Sequence, residues 1–179
     1  MSKKGLDYII EYKAFEQGTY EIDYQLDKNF FELFPESEFK DGDVSVKVIM
    51  QVSIAGLSFD FDISGSVKTE CDRCLEIFDQ EIEGFYNLSV KFSDTQTDSG
   101  DDDIIFLPTE ETEIDLKHHI YEYVVLSVPP RRVHPEDEDG NLTCNPEMVK
   151  ALEEFQPTEQ EEETEPQTDP RWDKLKGLL

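Results

Sequence analysis

The chain has 179 residues, of which 43 are acidic and 16 are basic, so its formal net charge at pH 7 is −27. A field of this sign repels phosphate, which disfavours charge-driven binding to naked nucleic acid or anionic membranes and favours basic proteins or cations. The sequence has no apolar run near the roughly 20 residues that a membrane span needs. Nor do its first residues resemble a secretory signal, so we expect a soluble, cytoplasmic protein.

Alternating apolar and polar residues predict that the N-terminal part is mostly β-structure. Residues 6–16 are rich in β-favouring side chains, and Gly18 offers a turn before residues 20–26, where apolar and polar residues alternate strictly. We expect these two runs to pair antiparallel. Asp27 is placed to cap a short helix that Pro35 would end.

The strongest alternation covers residues 44–54 and 59–68, which lie on either side of Gly56. A period of two over such lengths predicts two long neighbouring strands of a meander, each with one buried face. The second strand leads directly into a Cys-x₂-Cys motif. Beyond that motif, residues 77–90 continue as β-structure.

The period changes in the second half of the chain. Residues 94–103 are acidic and lack apolar side chains, which predicts a loop before a short strand at residues 104–106. Residues 113–127 place apolar side chains at three- and four-residue spacing, with Thr112 or Asp115 as the cap. This pattern predicts the main helix. The predicted class is α+β: an antiparallel β-rich meander or partly closed barrel, with the main helix packed on it and short helices near the C-terminus.

Three parts are expected along the chain. A domain over residues 1–155 would end in a short helix that begins near Pro146, and an acidic, disordered linker would follow over residues 156–168. Residues 169–179 have a proline at the first helical position and predict a short amphipathic helix, which would dock on the domain itself or on a partner. Its apolar stripe is formed by Trp172, Leu175 and Leu179.

The three cysteines suggest a metal site. Cys71 and Cys74 form a Cys-x₂-Cys motif between two predicted strands, and His134 and Cys144 lie in a polar loop after the main helix. Thiolate and neutral imidazole suit zinc, so these four residues form a candidate Cys₃His structural site. The His-x₉-Cys spacing is looser than usual, which leaves buried or idle thiols as the alternative. Strands on both flanks argue against thioredoxin-like redox chemistry.

The sequence points to a binding protein and not to an enzyme. It has no glycine-rich phosphate loop, no Gly-x-Ser-x-Gly motif and no histidine–carboxylate arrangement that its spacing supports. His118 and His119 are neighbours on the predicted helix and point about 100° apart, so we interpret them as surface residues. Arg131 and Arg132 form a local basic spot that is a candidate contact for a partner or for RNA.

Several short motifs, in the same order, resemble those of the YceD-like family, the large ribosomal RNA subunit accumulation proteins of bacteria and plastids. The central motif, Glu70-Cys71-Asp72-Arg73-Cys74-Leu75-Glu76, follows a strand that ends in a Gly-x-Val segment. The other matching segments are Ile114-Asp115-Leu116, residues 126–130 and Asp169-Pro170-Arg171-Trp172.

This resemblance implies a role in the accumulation or maturation of large-subunit (23S) ribosomal RNA, without known catalysis. Many members of the family carry a second cysteine pair after the main helix, in the region where this chain has His134 and Cys144. A strongly acidic member would act through a basic ribosomal protein or an RNA-processing or assembly factor. Two alternatives stay open: direct RNA binding through Arg131 and Arg132, and a structural zinc or thiol module that serves an unrelated complex.

Overall fold

The computed structural model describes residues 8–94, 103–137, 139–141 and 143–155. The chain divides into two compact units, residues 1–145 and residues 146–179. None of the described helices is both long and apolar enough to cross a membrane. The predicted linker and C-terminal helix, residues 156–179, lie outside the described residues.

The first unit contains most of the regular structure. Its strands are β1 (Ile9–Ile10), β2 (Gly18–Leu26), β3 (Gly42–Ser53), β4 (Gly56–Glu70), β5 (Ile77–Phe92), β6 (Ile104–Leu107) and β7 (Ile114–Asp115). Its helices are α1 (Lys28–Phe31) and α2 (Lys117–Ser127), and a 3-10 turn covers Tyr12–Ala14. The described part of the second unit is helix α3 (Pro146–Phe155).

Strands β2 to β6 form one open sheet in the order β2-β3-β4-β5-β6. Strands β2 to β5 pair antiparallel in chain order, and β6 joins the far edge parallel to β5. The α+β prediction is therefore confirmed, with a meander that remains open. The alternation of the sequence matches this arrangement, because Val46 is buried on the inner face while its neighbour Lys47 is exposed on the outer face.

The core lies between the inner face of the sheet and helices α1 and α2. Phe61 of β4 approaches Tyr123 of α2 with ring centroids 5.0 Å apart, and Tyr86 of β5 stacks on the same tyrosine at 4.7 Å. Phe30 and Phe31 of α1 are fully buried. The main helix thus packs on the sheet as predicted, because its apolar stripe and the apolar strand faces leave water together.

Two local predictions are wrong. Residues 6–16 do not pair with residues 20–26, because β1 pairs antiparallel with β7 in a separate two-stranded sheet, where Ile10 lies opposite Ile114. The main helix consequently begins at Lys117 and not at residue 113. The cap predicted at Thr112 or Asp115 is displaced with it: the N-cap is Leu116, which has no side-chain capping bond, and Asp115 Oδ1 accepts a 2.8 Å hydrogen bond from the Lys117 N–H just before the helix.

Other local predictions are confirmed. Asp27 caps α1, since its Oδ1 accepts a 2.9 Å hydrogen bond from the Asn29 N–H. The strand predicted at residues 104–106 is β6, and the short helix predicted near Pro146 is α3. His118 is exposed as predicted, whereas His119 is half-buried, and both imidazoles lie beside Glu122.

Replacing Gly65 with alanine should destabilise the fold. The φ angle of Gly65 is 147°, and an added Cβ would collide with the Asp43 carbonyl oxygen and lie 2.7 Å from Val44 Cα in the paired strand. We expect Gly65→Ala to lower the free energy of unfolding by at least about 2 kcal/mol. Urea denaturation followed by circular dichroism measures this loss.

Gly140→Ala is the matched control for this change. Gly140 also has a positive φ, 78°, but an added Cβ would meet no atom of the described residues within 4 Å. Its cost should be about 1 kcal/mol, the left-handed strain alone. Equal losses in the two variants would contradict the role assigned to the close approach of β3 and β4.

Candidate metal centre

A tight turn between β4 and β5 brings Cys71 and Cys74 together. We call residues 71–75 the knuckle. The Cys71 N–H donates to the Glu76 carbonyl at 2.9 Å, and the Leu75 N–H donates to the Cys71 carbonyl at 2.9 Å. Leu75 closes the turn with a φ of 61°, a left-handed conformation that non-glycine residues seldom adopt.

The loop after α2 is hydrogen-bonded to this knuckle. The Asp72 N–H donates to the Arg132 carbonyl at 2.7 Å, and the Arg132 N–H donates to Asp72 Oδ2 at 2.7 Å. Further along, the Asn145 side-chain amide donates to Glu76 Oε1 at 2.7 Å. These contacts bring both ends of the loop to the knuckle, and with them His134 and Cys144.

The three sulfur atoms and one imidazole nitrogen converge on a single point. The ligand atoms of Cys71, Cys74, His134 and Cys144 all lie within 4.8 Å of one another. The Sγ atoms of Cys71 and Cys144 are 3.8 Å apart, and His134 Nδ1 lies 3.4 Å from Cys74 Sγ and 3.8 Å from Cys144 Sγ. The predicted ligand set is therefore assembled by the fold.

These separations fit a tetrahedral ion. Zinc bonds of about 2.3 Å to sulfur and 2.0–2.1 Å to nitrogen correspond to S···S edges of about 3.8 Å and S···N edges of about 3.5 Å. The observed distances of 3.8, 3.4 and 3.8 Å match these edges closely. A disulfide does not account for the pair, because its S–S bond is about 2.0 Å and the three cysteines are free thiols. The four ligand atoms could therefore hold a tetrahedral metal ion.

Burial and packing fix the orientation of the ligand atoms. Cys71, Cys74 and Cys144 are 0%, 2% and 5% exposed, and His134 is half-buried. The His134 ring lies against Phe78 of β5, with ring centroids 4.6 Å apart. The Arg73 N–H donates to Cys71 Sγ over 3.4 Å, a contact that stabilises a thiolate.

The electrostatics of the cluster favour a cation. Burial acts to raise the pKa of the Cys71 thiol, but backbone N–H groups of Cys74, Arg73 and His134 outweigh it and lower the pKa to about 6. Burial also raises the pKa of Cys144, and the neighbouring sulfurs of Cys71 and Cys74 raise it further. Ionisation of Cys71 therefore opposes ionisation of Cys144, and a bound divalent cation would remove that repulsion.

The other candidate residues are distributed differently. Arg131 is exposed, whereas the Arg132 guanidinium lies 2.8 Å from Glu38 Oε1 and 3.8 Å from Asp72 Oδ1. Trp172, Leu175 and Leu179 lie outside the described residues. The sequence interpretation missed the anchoring roles of Asp72 and Glu38, although an aspartate inside a Cys-x₂-Cys turn is a residue type that commonly bonds nearby backbone.

Comparison with known families places this geometry in context. The family model described as "Large ribosomal RNA subunit accumulation protein YceD" matches residues 59–179, about two thirds of the chain. The chain belongs to the YceD family. The matched region includes the knuckle and the loop that carries His134 and Cys144. No curated protein and no solved structure matches the chain.

Arg132→Ala should loosen the loop that carries His134 and Cys144, because this side chain contacts Glu38, Asp72 and the Thr69 hydroxyl. We expect it to lower the free energy of unfolding by about 1–2 kcal/mol, since its partners are partly exposed and water replaces part of the interaction. Thermal or urea denaturation measures the change.

The neighbouring Arg131→Ala variant is the control for charge. It removes an equal charge from an exposed side chain and should change stability by less than about 0.5 kcal/mol. Equal effects in the two variants would show that the Arg132 contacts do not anchor the loop.

Proposed function

We propose that this YceD-family protein is a non-enzymatic factor in the accumulation and maturation of 23S ribosomal RNA, and that it acts through protein partners. The observation that carries this proposal is membership of a family named for large ribosomal RNA subunit accumulation. The partners would be a basic ribosomal protein or an RNA-processing or assembly factor.

The charge distribution supports protein partners over direct RNA contact. A net charge of −27 repels a phosphate backbone and attracts lysine- and arginine-rich proteins. The alternative RNA contact used Arg131 and Arg132, but Arg132 is already paired with Glu38 and Asp72. One exposed arginine in an acidic surrounding is a weak basis for gripping RNA.

The metal centre is best explained as a structural zinc site. Cys71, Cys74, His134 and Cys144 would supply all four ligands of a tetrahedral ion, which is the closed arrangement of structural sites, whereas catalytic sites keep a position open for water or substrate. Bound zinc would supply a tetrahedral anchor that ties the loop after α2 to the β4–β5 turn. This role supports a binding function and offers no coordination position for catalysis.

Metal analysis tests the zinc site. Protein purified without chelator or a metal-affinity tag should contain about one zinc per chain, with its three thiols protected from a thiol reagent. His134→Ala should lose most of the metal, and His118→Ala, which changes an exposed histidine outside the cluster, should retain it. Metal-free protein with three freely reactive thiols would contradict the zinc proposal.

Ribosomal RNA levels test the cellular role. Deleting the gene should lower mature 23S ribosomal RNA relative to 16S ribosomal RNA, and expression of the intact chain should restore the ratio. Affinity purification of the tagged chain at low salt should recover a basic ribosomal or RNA-processing protein, with less recovered at high salt because the attraction is screened. A normal ratio in the deletion strain would favour the alternative of a zinc-containing module that serves another complex.

A further inference from the structure

Beside the metal centre, the first unit has an open groove whose apolar side chains are exposed. The groove has a volume of about 520 Å³. We call it the knuckle groove, and the lining residues that matter here are Glu38, Lys68, Glu70, Leu75, Ile77 and Arg132. Because the knuckle forms part of its wall, its shape depends on the same contacts that hold the metal ligands.

Two large apolar side chains at the groove face solvent. Leu75 is 64% exposed and Ile77 is 69% exposed, and Ile77 lies opposite Glu70 in the β4–β5 ladder. Exposed apolar residues are common singly, but here two lie within three positions and line one concave surface. Apolar side chains around a concave surface are typical of binding sites for another polypeptide.

Leu75 also has a backbone conformation that is unusual for a leucine. Its φ of 61° lies in the left-handed region, where glycine or asparagine would be easier to accommodate than leucine. The leucine side chain is neither buried nor needed to close the turn, since the turn closes through the Leu75 N–H and the Cys71 carbonyl. Strain at an exposed residue beside a cavity is a mark of functional sites.

The charges of the groove identify the kind of partner. Two of its three cations are paired with carboxylates: Arg132 with Glu38 and Asp72, and Lys68 with Asp41 at 3.1 Å. The third, Lys40, donates to the Pro35 carbonyl at 2.7 Å. Glu70 is exposed and forms no ion pair within the described residues. The lining as a whole has four carboxylates, those of Glu38, Asp41, Glu70 and Asp72, against three basic side chains. Its net charge is therefore negative, in agreement with the net charge of the chain, and it complements lysine or arginine.

We propose that the knuckle groove binds a lysine- or arginine-rich polypeptide segment that inserts an apolar side chain against Leu75 and Ile77. The flanking basic residues of this segment pair with Glu70 and the surrounding acidic surface. This proposal rests on the proposed function, from which it takes a basic protein as the partner. It adds the site of binding and a dependence on the metal centre, because loss of the cluster would release the knuckle that presents Leu75.

The first test uses a labelled model peptide with two leucines at its centre and lysines on both sides. Binding to the full-length, metal-loaded chain is measured by fluorescence anisotropy at constant salt. Leu75→Gly should weaken binding by about tenfold. It should leave thermal stability unchanged or raised, because glycine relieves the left-handed strain. Ile54→Gly is the matched control: Ile54 is also exposed, in the β3–β4 turn at the opposite end of the sheet, and its loss should not affect binding.

A second pair of variants distinguishes the effect of charge at the groove from the effect of the net charge of the chain on peptide binding. Glu70→Lys and Glu16→Lys change the net charge equally, and both glutamates are exposed, but Glu16 lies near the far end of β2. Glu70→Lys should weaken peptide binding more than Glu16→Lys does. Equal losses, or equally tight binding of a peptide with serines in place of its leucines, would overturn the proposal, because attraction would then depend on charge alone.

The same variants also test two other occupants of the groove, RNA and a second copy of the chain. Leu75-dependent binding of a single-stranded RNA oligomer that competes with the peptide would overturn the proposal in favour of RNA. Self-association of the chain that Leu75→Gly abolishes, measured by sedimentation, would overturn it in favour of a second copy.

Complementation of a deletion strain distinguishes the failure of this proposal from the failure of the proposed function. Leu75→Gly should fail to restore the 23S ribosomal RNA ratio, whereas Ile54→Gly should restore it. If the deletion lowers the ratio and Leu75→Gly restores it fully, the groove proposal fails and the function stands. If the deletion leaves the ratio unchanged, the function fails, and the peptide measurements alone decide whether the groove binds basic segments.

Discussion

The reciprocal hydrogen bonds between Asp72 and Arg132 are the contact on which the rest of the site depends. They join the β4–β5 turn to a loop that is 60 residues away along the chain: the Asp72 N–H donates to the Arg132 carbonyl, and the Arg132 N–H donates to the Asp72 carboxylate. Once this contact forms, the loop is held beside the knuckle, and His134 and Cys144 lie close to Cys71 and Cys74. A bound metal would therefore complete an arrangement that hydrogen bonds already hold, and the entropy lost on ordering the loop would be shared between the two kinds of interaction.

The Cys₃His cluster and the acidic surface lie in different environments: the cluster is buried, and the acidic side chains are exposed. The cluster is buried, with each cysteine at most 5% exposed, so a partner would not touch the thiols themselves. The side chains that reach solvent here are Leu75 of the knuckle and Ile77 at the start of β5. A rigid turn can present such side chains with a small loss of entropy on binding, which is the usual advantage of a preorganised interface. Stability and recognition would thus be coupled through a few residues of one turn.

The two faces of the sheet have different roles: the inner face forms the apolar core, and the outer face carries charged side chains. Its inner face contributes apolar side chains such as Val46 and Phe61 to a core shared with α2, and this burial offsets the repulsion among many carboxylates. Its outer face exposes polar residues such as Lys47 and Asp62. Lys47 forms a 3.0 Å ion pair with Glu21 across the strands, and the pKa of Lys47 is raised by its hydrogen bond to that glutamate. Local ion pairs of this kind therefore neutralise some of the carboxylates. The others stay exposed and would attract basic partners.

The sequence by itself determined the elements whose residues interact with near neighbours. The period of two predicted the long strands around Gly56, Asp27 predicted the cap of α1, and the types of four residues predicted a Cys₃His set. The tertiary structure alone decided which distant segments meet. It paired β1 with β7, made β6 parallel to β5, engaged Arg132 with Glu38 and Asp72, and brought His134 to the thiols. The physical reason is that local preferences act within a few residues, whereas these contacts depend on the burial of apolar faces that lie far apart in the chain.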